Sequence, residues 1–406
     1  MSSTFVIVGA GMAGGKAAEA LRDAGFDGRV VLLGAEAERP YERPPLSKDY
    51  LRGEAGRDAV YLQKDPAWYE ENAIELRTET SVEALDVDAR AVVLAGGERV
   101  PYDALLLATG AQPRRPPIAG ADLDGVHVLR TVEDSDALRA VLDAGGRLVV
   151  VGAGWIGSEV AASARQRGME VAMVEMQSLP LEGVLGRELG AFYRDVHAEH
   201  GVELHLGTGV DAIEGAGRAE RVRTSDGNVL ECAAVLLGVG VAPRTALAEG
   251  VLKVDNGIVV DAGLRTSAEG IFAAGDVANH EHPLFGPLRV EHWANALEQG
   301  PAAARAMLGE EVSYERVPYF FSDQYDVGME YAGHGHPDDE VVFRGDPATR
   351  EFIAFWLRDG CVEAGMNVNV WDVNDDIQAL VRDATTVDVA RLRDPDVPLS
   401  ELLGSS

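Results

Sequence analysis

Apolar and polar residues follow the same order twice along the chain. Residues 4–9 form a β-branched apolar run, a glycine-rich turn and an alanine-rich stretch with helical spacing follow, and a second apolar run occupies 30–33. The order recurs from Leu148, where a strand and a turn lead into a helix predicted over 158–167 and a strand predicted over 171–174. Strand, turn, helix and strand in succession predict two βαβ units in one chain.

Both turns have the spacing Gly-x-Gly-x-x-Gly. In such a turn the first glycine allows the tight bend, the second lets the backbone approach a pyrophosphate, and the third lets helix and strand pack closely. The helix that follows offers N–H groups and a partial positive charge to the phosphates. An acid near the end of each unit, Glu36 or Glu175, is placed to accept a hydrogen bond from a ribose hydroxyl. The glycines are Gly9, Gly11 and Gly14 in the first turn, and Gly152, Gly154 and Gly157 in the second.

Two complete units predict two dinucleotide sites. A tightly held FAD and an exchanging nicotinamide cofactor are the economical pair, because a hydride donor needs an acceptor held against it. A structural duplication with one inactive site is the alternative interpretation.

Three further segments organise the rest of the chain. Residues 102–117 read as a buried strand followed by a crossover rich in Gly and Pro, of the kind that leads out of a domain. Residues 264–280 end a strand near Asp276, an acid placed to hydrogen-bond a polyol chain or to cap a helix. Residues 363–383 predict a strand followed by an amphipathic helix. The first domain is therefore expected to resume after about residue 248, with the second domain inserted in it.

Composition limits the classes of function. A chain of 406 residues with 46% hydrophobic content predicts two or three packed domains. It has neither an apolar run of membrane-spanning length nor a basic segment followed by an apolar signal sequence, so a cytoplasmic protein is expected. The net charge of −31 argues against nucleic acid and anionic membranes as partners. With only Cys232 and Cys361, the chain lacks the cysteines of a CxxC redox pair, an iron–sulfur cluster or a cysteine zinc site, and no metal is predicted.

Several motifs together resemble the FAD-dependent NADH:ferredoxin reductases that serve oxygenases and cytochromes P450, a group that includes putidaredoxin reductase, rubredoxin reductase and apoptosis-inducing factor. The most specific are PYERPPLSK at 40–48 and EHWANALEQG at 291–300, and they occur with LLLATGAQPR, GAGWIGSE, GVGVAPRT, GIFAAGDV and FFSDQYD. The resemblance implies an α/β fold of the glutathione-reductase type, with FAD- and NAD-binding Rossmann-like domains and a small C-terminal α+β domain. The domain limits it implies are 1–112 and 248–321 for FAD, 113–247 for NADH, and 322–406 for the C-terminal domain.

The resemblance also assigns a role to a costly carboxylate. Glu159 lies in the opening turn of a helix that is expected to pack on a sheet, where a carboxylate needs a partner. In proteins of this type the lysine of PPLSK, here Lys48, lies beside the reactive nitrogen of the flavin and pairs with the glutamate of GxGxxGSE, here Glu159. A cation there stabilises reduced flavin, and the carboxylate keeps the lysine charged. An ordinary interdomain salt bridge is the alternative.

The resemblance implies further cofactor contacts, carried over position by position. A helix that begins near Trp293 directs its positive end at the flavin, although Trp293 in the core is the alternative. Glu175 repels a 2′-phosphate and no arginine follows it closely, so NADH is preferred over NADPH. The residues implied for FAD are Gly9, Gly11, Gly14, Glu36, Arg43, Lys48, Ala108, Thr109, Gly110, Asp276, Glu291, His292, Trp293 and Ala294. Those implied for NADH are Gly152, Gly154, Gly157, Glu175 and Gly238.

The predicted function is an NADH-dependent reductase that passes electrons through FAD to a [2Fe-2S] ferredoxin serving a cytochrome P450 or a ring-hydroxylating oxygenase. Hydride transfer needs orientation more than acid or base catalysis, so no triad and no covalent intermediate are expected. Ferredoxins are usually acidic, and docking one on an acidic chain needs a local basic patch, for which Arg289, Arg316 and Arg344 are candidates.

Other functions of this fold stay open at the level of the sequence. A reductase for quinones or other small acceptors fits the same residues, and a redox-controlled binding protein in the manner of apoptosis-inducing factor is a further alternative. A disulfide reductase is excluded because the segment ERPPLSK contains no cysteine. Relatives commonly carry tryptophan beside the central phenylalanine of the FFSDQYD motif, whereas this chain has Tyr319, Phe320 and Phe321, which bears on the route by which electrons leave.

Overall fold

A computed structural model describes residues 3–63, 65–384 and 386–403 of the chain. The predicted domain limits 1 and 406 lie outside this range. Close contacts divide the chain into two compact units. Unit 1 comprises the described residues up to Glu42 together with Arg57–Gln112 and Ala242–Pro318, and unit 2 comprises Arg43–Gly56, Pro113–Val241 and the described residues from Tyr319 onwards.

Strands alternate with helices in the two βαβ units, as the hydrophobic pattern predicts, whereas strands follow one another directly elsewhere, as over 203–289. The strands of the first half are β1 Thr4–Val8, β2 Arg29–Leu33, β3 Ile74–Arg77, β4 Val82–Asp86, β5 Ala91–Leu94, β6 Arg99–Pro101, β7 Ala104–Leu107, β8 Ala111–Pro113, β9 Val126–His127, β10 Arg147–Val151, β11 Glu170–Glu175 and β12 Glu203–Leu206. Those of the second half are β13 Val210–Glu214, β14 Arg221–Thr224, β15 Val229–Glu231, β16 Ala234–Leu237, β17 Val241–Pro243, β18 Ile258–Val260, β19 Ile271–Ala273, β20 Ala278–His282, β21 Gly286–Arg289, β22 Tyr319–Gln324, β23 Val327–Gly333, β24 Glu340–Asp346, β25 Glu351–Arg358 and β26 Cys361–Val368.

Helices connect and cover these strands. They are α1 Met12–Asp23, α2 Asp49–Arg52, α3 Trp68–Glu71, α4 Val132–Ala144, α5 Trp155–Gln166, α6 Glu182–Leu185, α7 Arg187–Glu199, α8 Trp293–Met307, α9 Asn374–Asp383 and α10 Val389–Arg393. Short 3₁₀ turns occupy Pro44–Ser47, Arg57–Ala59, Pro347–Thr349 and Leu399–Leu402. The predicted helix over 158–167 begins three residues earlier, because Gly154 of the turn is itself the N-cap.

Unit 1 is built on a parallel sheet of five strands in the order β19-β7-β1-β2-β3. Its inner strands are continuous apolar runs because helices cover a parallel sheet on its faces. Helix α1 follows the central strand β1 and packs against α8, and Gly300 allows this close approach. A Cβ at Gly300 would lie 2.3 Å from the carbonyl oxygen of Ala13. A three-stranded antiparallel sheet, β4-β5-β6, completes the predicted first βαβ domain.

Unit 2 repeats this plan. Its parallel sheet has the order β12-β11-β10-β16-β9, so β10 takes the central place that β1 has in unit 1. A three-stranded antiparallel sheet, β13-β14-β15, corresponds to β4-β5-β6, and both have a register irregularity in the first strand pair. Both predicted βαβ units are therefore present, each with its glycine turn at the carboxyl end of the central strand.

The last part of unit 2 is an antiparallel sheet in the order β22-β23-β26-β25-β24. Helix α9 lies against β26 and buries Ile377, Leu380 and Val381, so the strand and amphipathic helix predicted over 363–383 are observed. Gly365 permits this contact, because a Cβ there would lie 2.6 Å from the Cγ2 of Ile377.

Candidate functional site

The first glycine turn joins β1 to α1 in unit 1. Gly9 has φ of +114°, and a Cβ on it would lie 2.1 Å from the carbonyl oxygen of Ala108. A Cβ on Gly14 would lie 1.9 Å from the carbonyl oxygen of Gly9, so only glycine lets the helix start so close to the strand. Gly11 is different, because a Cβ there would point into open space. The turn thus leaves a backbone surface at the start of the helix to which a diphosphate fits.

The second turn has the same geometry in unit 2. Gly152 has φ of +96°, and its Cβ would lie 2.6 Å from the carbonyl oxygen of Gly238. The Cβ of residue 157 would lie 2.0 Å from the carbonyl oxygen of Gly152, while a Cβ at Gly154 meets nothing within 4 Å. Gly238 donates its backbone N–H to Val151, 2.8 Å away, which fixes the wall opposite the turn. The residues present therefore fit a second dinucleotide.

The two predicted ribose-binding acids, Glu36 and Glu175, differ in their hydrogen-bond partners. Glu175 is the last residue of β11, and its carboxylate accepts hydrogen bonds from the backbone N–H of Ala153 at 2.7 Å and of Gln177 at 2.9 Å. The first bond points the carboxylate at the glycine turn. Glu36 lies three residues beyond β2 and accepts a hydrogen bond from the hydroxyl of Tyr41. A carboxylate is the kind of acceptor that a ribose diol needs.

The remaining residues implied for FAD in unit 1 come from two segments. Ala108 donates to the carbonyl of Val8 at 2.8 Å, and Thr109 donates its hydroxyl to the carbonyl of Arg244 at 2.8 Å, so the segment 108–110 lies beside the first turn. Asp276 is buried just after β19, and the backbone N–H of Gly275 is held by the Gln299 side chain at 2.8 Å. These contacts bring a buried carboxylate and the first turn to the same edge of the sheet.

The segment 291–294 leads into helix α8. His292 is the N-cap residue, its side chain makes no capping hydrogen bond, and the helix begins at Trp293. Glu291 instead forms an ion pair with Arg289 at 2.5 Å. The predicted helix start is observed, and its positive end is available to an electron-rich group.

Lys48 and Glu159 meet as an ion pair inside unit 2. The Lys48 Nζ and the Glu159 Oε2 are 2.7 Å apart, and both residues are buried, at 7% and 5% exposure. Because α5 begins at Trp155, Glu159 lies in its second turn and not, as expected, in its first. The cost of a buried carboxylate indicated that Glu159 needs a partner, and the one that the family resemblance implies, Lys48, is present in the structure.

The segment that carries Lys48 is anchored by unit 2, which the sequence did not predict. Ser135 of α4 donates to the carbonyl of Leu46 at 2.8 Å, and Ser163 of α5 donates to the carbonyl of Ser47 at 2.6 Å. Residues 43–56 therefore pack with α4 and α5, while the other residues implied for FAD lie in unit 1. Arg43 also belongs to this segment, and its guanidinium donates to the carbonyl of Arg130 at 2.5 Å.

Two serine hydroxyls contact the ion pair and were not predicted from the sequence. Ser47 donates to the Glu159 Oε2 at 2.5 Å, and Ser322 donates to the Glu159 Oε1 at 2.7 Å. Both serines lie inside quoted motifs, PPLSK and FFSDQYD. The available signal was the alternation of Ser322 and Gln324 on one face of β22, since polar residues on the buried face of a strand need partners.

Two of the three arginines suggested for partner docking are not available, and that prediction is corrected for them. Arg289 is 9% exposed at its side chain and pairs with Glu291. Arg344 is buried and donates to three backbone carbonyls of the C-terminal segment, and burial lowers the pKa of its guanidinium. Arg316 has a side chain that is 66% exposed, with Glu298 3.3 Å away.

Within the described ranges, no three histidine, cysteine or acidic side chains group in a way that could hold a metal ion. Both thiols are half-buried, and burial raises the pKa of Cys232 to about 11. A search of the same residues finds no helix with the length and apolar character needed to cross a membrane.

Comparison with known proteins agrees with this geometry. Residues 3–300 match the family described as "Pyridine nucleotide-disulphide oxidoreductase", and residues 319–403 match the one described as "Reductase C-terminal". The chain is 40% identical over 405 residues to the anthranilate 1,2-dioxygenase system ferredoxin–NAD(+) reductase component of Burkholderia cepacia, which covers 98% of this chain and 99% of that protein. It is 36% identical over 413 residues to putidaredoxin reductase of Pseudomonas putida, covering 100% of this chain and 98% of that one.

The fold is also that of a solved relative. The crystal structure of the covalent putidaredoxin reductase–putidaredoxin complex matches with a TM-score of 0.95 and 36% identity, over 99% of this chain and 98% of that one. The predicted fold class and the resemblance to ferredoxin reductases are thereby confirmed. With two glycine turns on two parallel sheets and a matching C-terminal domain, the chain belongs to the pyridine nucleotide-disulphide oxidoreductase family.

Proposed function

We propose that this chain is an NADH-dependent flavoprotein reductase that delivers electrons from NADH, through FAD, to a [2Fe-2S] ferredoxin serving an oxygenase or a cytochrome P450. The observation that carries the proposal is the buried ion pair between Lys48 and Glu159. Glu159 lies on α5, the helix that follows the second dinucleotide turn. Relatives of full length are named as ferredoxin–NAD reductases of dioxygenase and putidaredoxin systems, which supports the same partner class.

The residues of unit 1 hold FAD. The turn at Gly9, Gly11 and Gly14 receives the diphosphate on backbone N–H groups, and Glu36 accepts from the adenosine ribose. Asp276, buried at the carboxyl end of β19, accepts from the hydroxyls of the ribityl chain. The further FAD contacts in unit 1 are Ala108, Thr109, Gly110, Glu291, His292, Trp293 and Ala294. Arg43 and Lys48, which the family resemblance also implies for FAD, belong to unit 2.

The turn of unit 2 holds NADH in preference to NADPH. Gly152, Gly154 and Gly157, with Gly238 opposite, receive the diphosphate. Glu175 accepts from the ribose diol, and its negative charge repels a 2′-phosphate. The next arginine along the chain, Arg187, is paired with Glu182 at 3.0 Å, so no cation beside Glu175 in the sequence compensates that repulsion.

When bound, FAD supplies the redox chemistry by accepting a hydride from NADH and releasing the two electrons one at a time. The chain's own contribution is to orient and to set the local charge. Lys48 presents a fixed positive charge, because Glu159 is a buried anion 2.7 Å from its Nζ. A positive charge beside a site where negative charge develops favours reduction.

The electron acceptor meets the protein at a local positive surface, since the chain as a whole is strongly acidic. Arg316 is the remaining exposed candidate of the three arginines considered. The proposal includes a cytoplasmic location, because the reaction draws on the NADH of the cell.

The test is to reduce the purified flavoprotein with NADH without oxygen, and then to follow cytochrome c reduction with and without a panel of [2Fe-2S] ferredoxins. We expect rapid bleaching of the flavin, and a severalfold rate increase by one ferredoxin that high salt removes. Quinone reduction that no ferredoxin affects would support the small-acceptor alternative and overturn the assigned partner. Slow reduction of the flavin, together with an NADH-dependent change of assembly state, would support the binding-protein alternative.

A further inference from the structure

The Glu159 carboxylate is held at both of its oxygens. Its Oε2 forms an ion pair with the Lys48 ammonium at 2.7 Å and accepts a hydrogen bond from the Ser47 hydroxyl at 2.5 Å. Its Oε1 accepts a hydrogen bond from the Ser322 hydroxyl at 2.7 Å. Ser47 is the chain neighbour of Lys48, whereas Ser322 comes from β22 of the C-terminal sheet and touches the carboxylate from a different element.

These two serines restrain different motions. The terminal torsion of a glutamate side chain is broad, so one contact at one oxygen leaves the carboxylate plane able to rotate. Ser47 shares Oε2 with Lys48 and cannot fix that plane alone. Ser322 is the donor at Oε1, and the two oxygens held together determine the plane.

The Ser322 hydroxyl is itself oriented by a neighbour. The Gln324 side chain donates from its Nε2 to the Ser322 Oγ at 3.3 Å. Because the hydroxyl oxygen accepts from the amide, its proton is directed to Glu159. Ser322 and Gln324 are both 1% exposed and lie two residues apart, so they share one face of the strand.

The hydrogen bond between Ser322 and Glu159 lies beside apolar side chains. The same region of unit 2 is an apolar cluster that includes Tyr193, Val327 and Trp356. Burial, reinforced by the nearby Glu159 charge, keeps the pKa of Tyr193 well above its ordinary value. Tyr193 on α7 and Asp323 on β22 are titratable groups that, like Lys48, interact with the Glu159 charge. Polar side chains in such a cluster are costly unless paired.

We propose that Ser322 is a positioning residue that fixes the Glu159 carboxylate and, through it, the Lys48 ammonium. The inference rests on the proposed function of Lys48 beside the flavin. It makes the C-terminal sheet a participant in the redox site, although none of the residues predicted there from the sequence lies in that sheet.

The experiment compares four variants of the full-length holoenzyme. Ser322→Ala removes the donor, Ser322→Thr keeps a hydroxyl on a residue suited to a strand, and Gln324→Met removes the group that orients it. Thr224→Ala is the matched control, because Thr224 is also fully buried in unit 2 and its hydroxyl is hydrogen-bonded, but to Asp226 and to the carbonyl of Asn228 and not to the Lys48 segment. The readouts are the anaerobic rate of flavin reduction by NADH from pH 5 to 9, and the flavin midpoint potential.

We expect Ser322→Ala to slow flavin reduction about tenfold across this pH range and to leave the apparent affinity for NADH unchanged. A tenfold weaker stabilisation of reduced flavin corresponds to a midpoint potential about 30 mV lower for a two-electron couple. Gln324→Met shifts both readouts in the same direction by less. Ser322→Thr and Thr224→Ala keep the wild-type pH profile and potential.

An unchanged reduction rate and potential in Ser322→Ala would overturn the proposal, and so would equal shifts in Ser322→Ala and Ser322→Thr, because packing would then be the cause. The wild-type protein separates this failure from that of the proposed function. If NADH does not reduce the wild-type flavin at all, the proposed function fails first. If it does, the variants test Ser322 alone.

Discussion

The glycine turns of units 1 and 2 share their geometry and differ in the residues that come next along the helix. In both turns, a Cβ on the third glycine would collide with the carbonyl oxygen of the first, at 1.9 Å in unit 1 and 2.0 Å in unit 2. After the first turn comes Gly15, where a Cβ would lie 2.8 Å from the Cβ of Pro40, so α1 is packed tightly with its own unit. After the second turn come Ser158 and Glu159, and the latter is a buried carboxylate.

The comparison separates binding from chemistry. Steric demands at the turn are the same for any dinucleotide, so the same glycines serve twice. The charges differ, because α1 carries the partly exposed pair Lys16–Glu19, whereas α5 carries Glu159, which is paired with Lys48 and buried. A buried charge is retained against its desolvation cost, which points to a task in unit 2 that the first turn does not have.

The largest expected effect comes from breaking the buried pair. Lys48→Met leaves Glu159 without its counter-ion, which is expected to cost about 3–5 kcal/mol of stability and to slow flavin reduction by about 10²-fold. Thermal unfolding and anaerobic stopped-flow measure the two effects. Adding Glu159→Gln should recover the stability but not the rate.

The control for this prediction lies on the other helix. Lys16→Met removes the partner of Glu19 in an exposed pair, and exposed pairs contribute about 0–1 kcal/mol. It should change neither the reduction rate nor, by more than this amount, the stability. An unchanged reduction rate in Lys48→Met would remove this residue from the mechanism and make the pair a structural one.

The next effect tests whether the two turns hold different cofactors. Gly14→Ala and Gly157→Ala place the same Cβ against a backbone oxygen, at an expected local cost of about 3 kcal/mol or more. Gly14→Ala should yield protein with reduced flavin content. Gly157→Ala should retain flavin that dithionite reduces normally and NADH reduces slowly. Flavin loss in both variants alike would mean that the turns do not have separate roles.

A smaller effect concerns pH, and here the two units resemble each other. Burial lowers the pKa of His197 in unit 2 to about 4, and burial together with His282 lowers the pKa of His280 in unit 1 to about 4. A buried histidine that stays neutral while the unfolded chain takes up a proton loses stability as the pH falls from about 6.5 towards 4. From pH 7 to pH 5 the expected loss is about 2 kcal/mol for His197.

Calorimetry at the two pH values checks this window. In His197→Gln the fall of the unfolding temperature between pH 7 and pH 5 should be smaller than in the wild type, whatever the variant's stability at pH 7. His280→Gln is the matched change in the other unit. The same fall in His197→Gln as in the wild type would mean that His197 is not the group responsible.

How much of this could be read from the sequence depends on the range of the interactions. The turns were predictable because glycine spacing reflects local sterics, and Glu159 was traced to Lys48 because a costly carboxylate implied a partner in a known motif. The attachment of residues 43–56 to unit 2 was not predictable, since it depends on hydroxyls such as Ser135, distant in the chain. The burial of Arg344 had a signal that was missed, because it alternates with buried Val342 on β24.

The smallest effect compares the two acids. Glu175→Ala should weaken NADH binding about tenfold, or about 1.4 kcal/mol, and narrow the discrimination against NADPH, because a carboxylate that accepts from the diol and repels a 2′-phosphate is removed. Glu36→Ala should instead lower FAD retention and leave that discrimination unchanged. Steady-state KM values for NADH and NADPH, with the flavin content of each preparation, give the answer. Since Glu175 is directed at its own turn by the Ala153 N–H and Glu36 is held by Tyr41, an equal response of both variants would show that proximity to the turn does not decide cofactor choice.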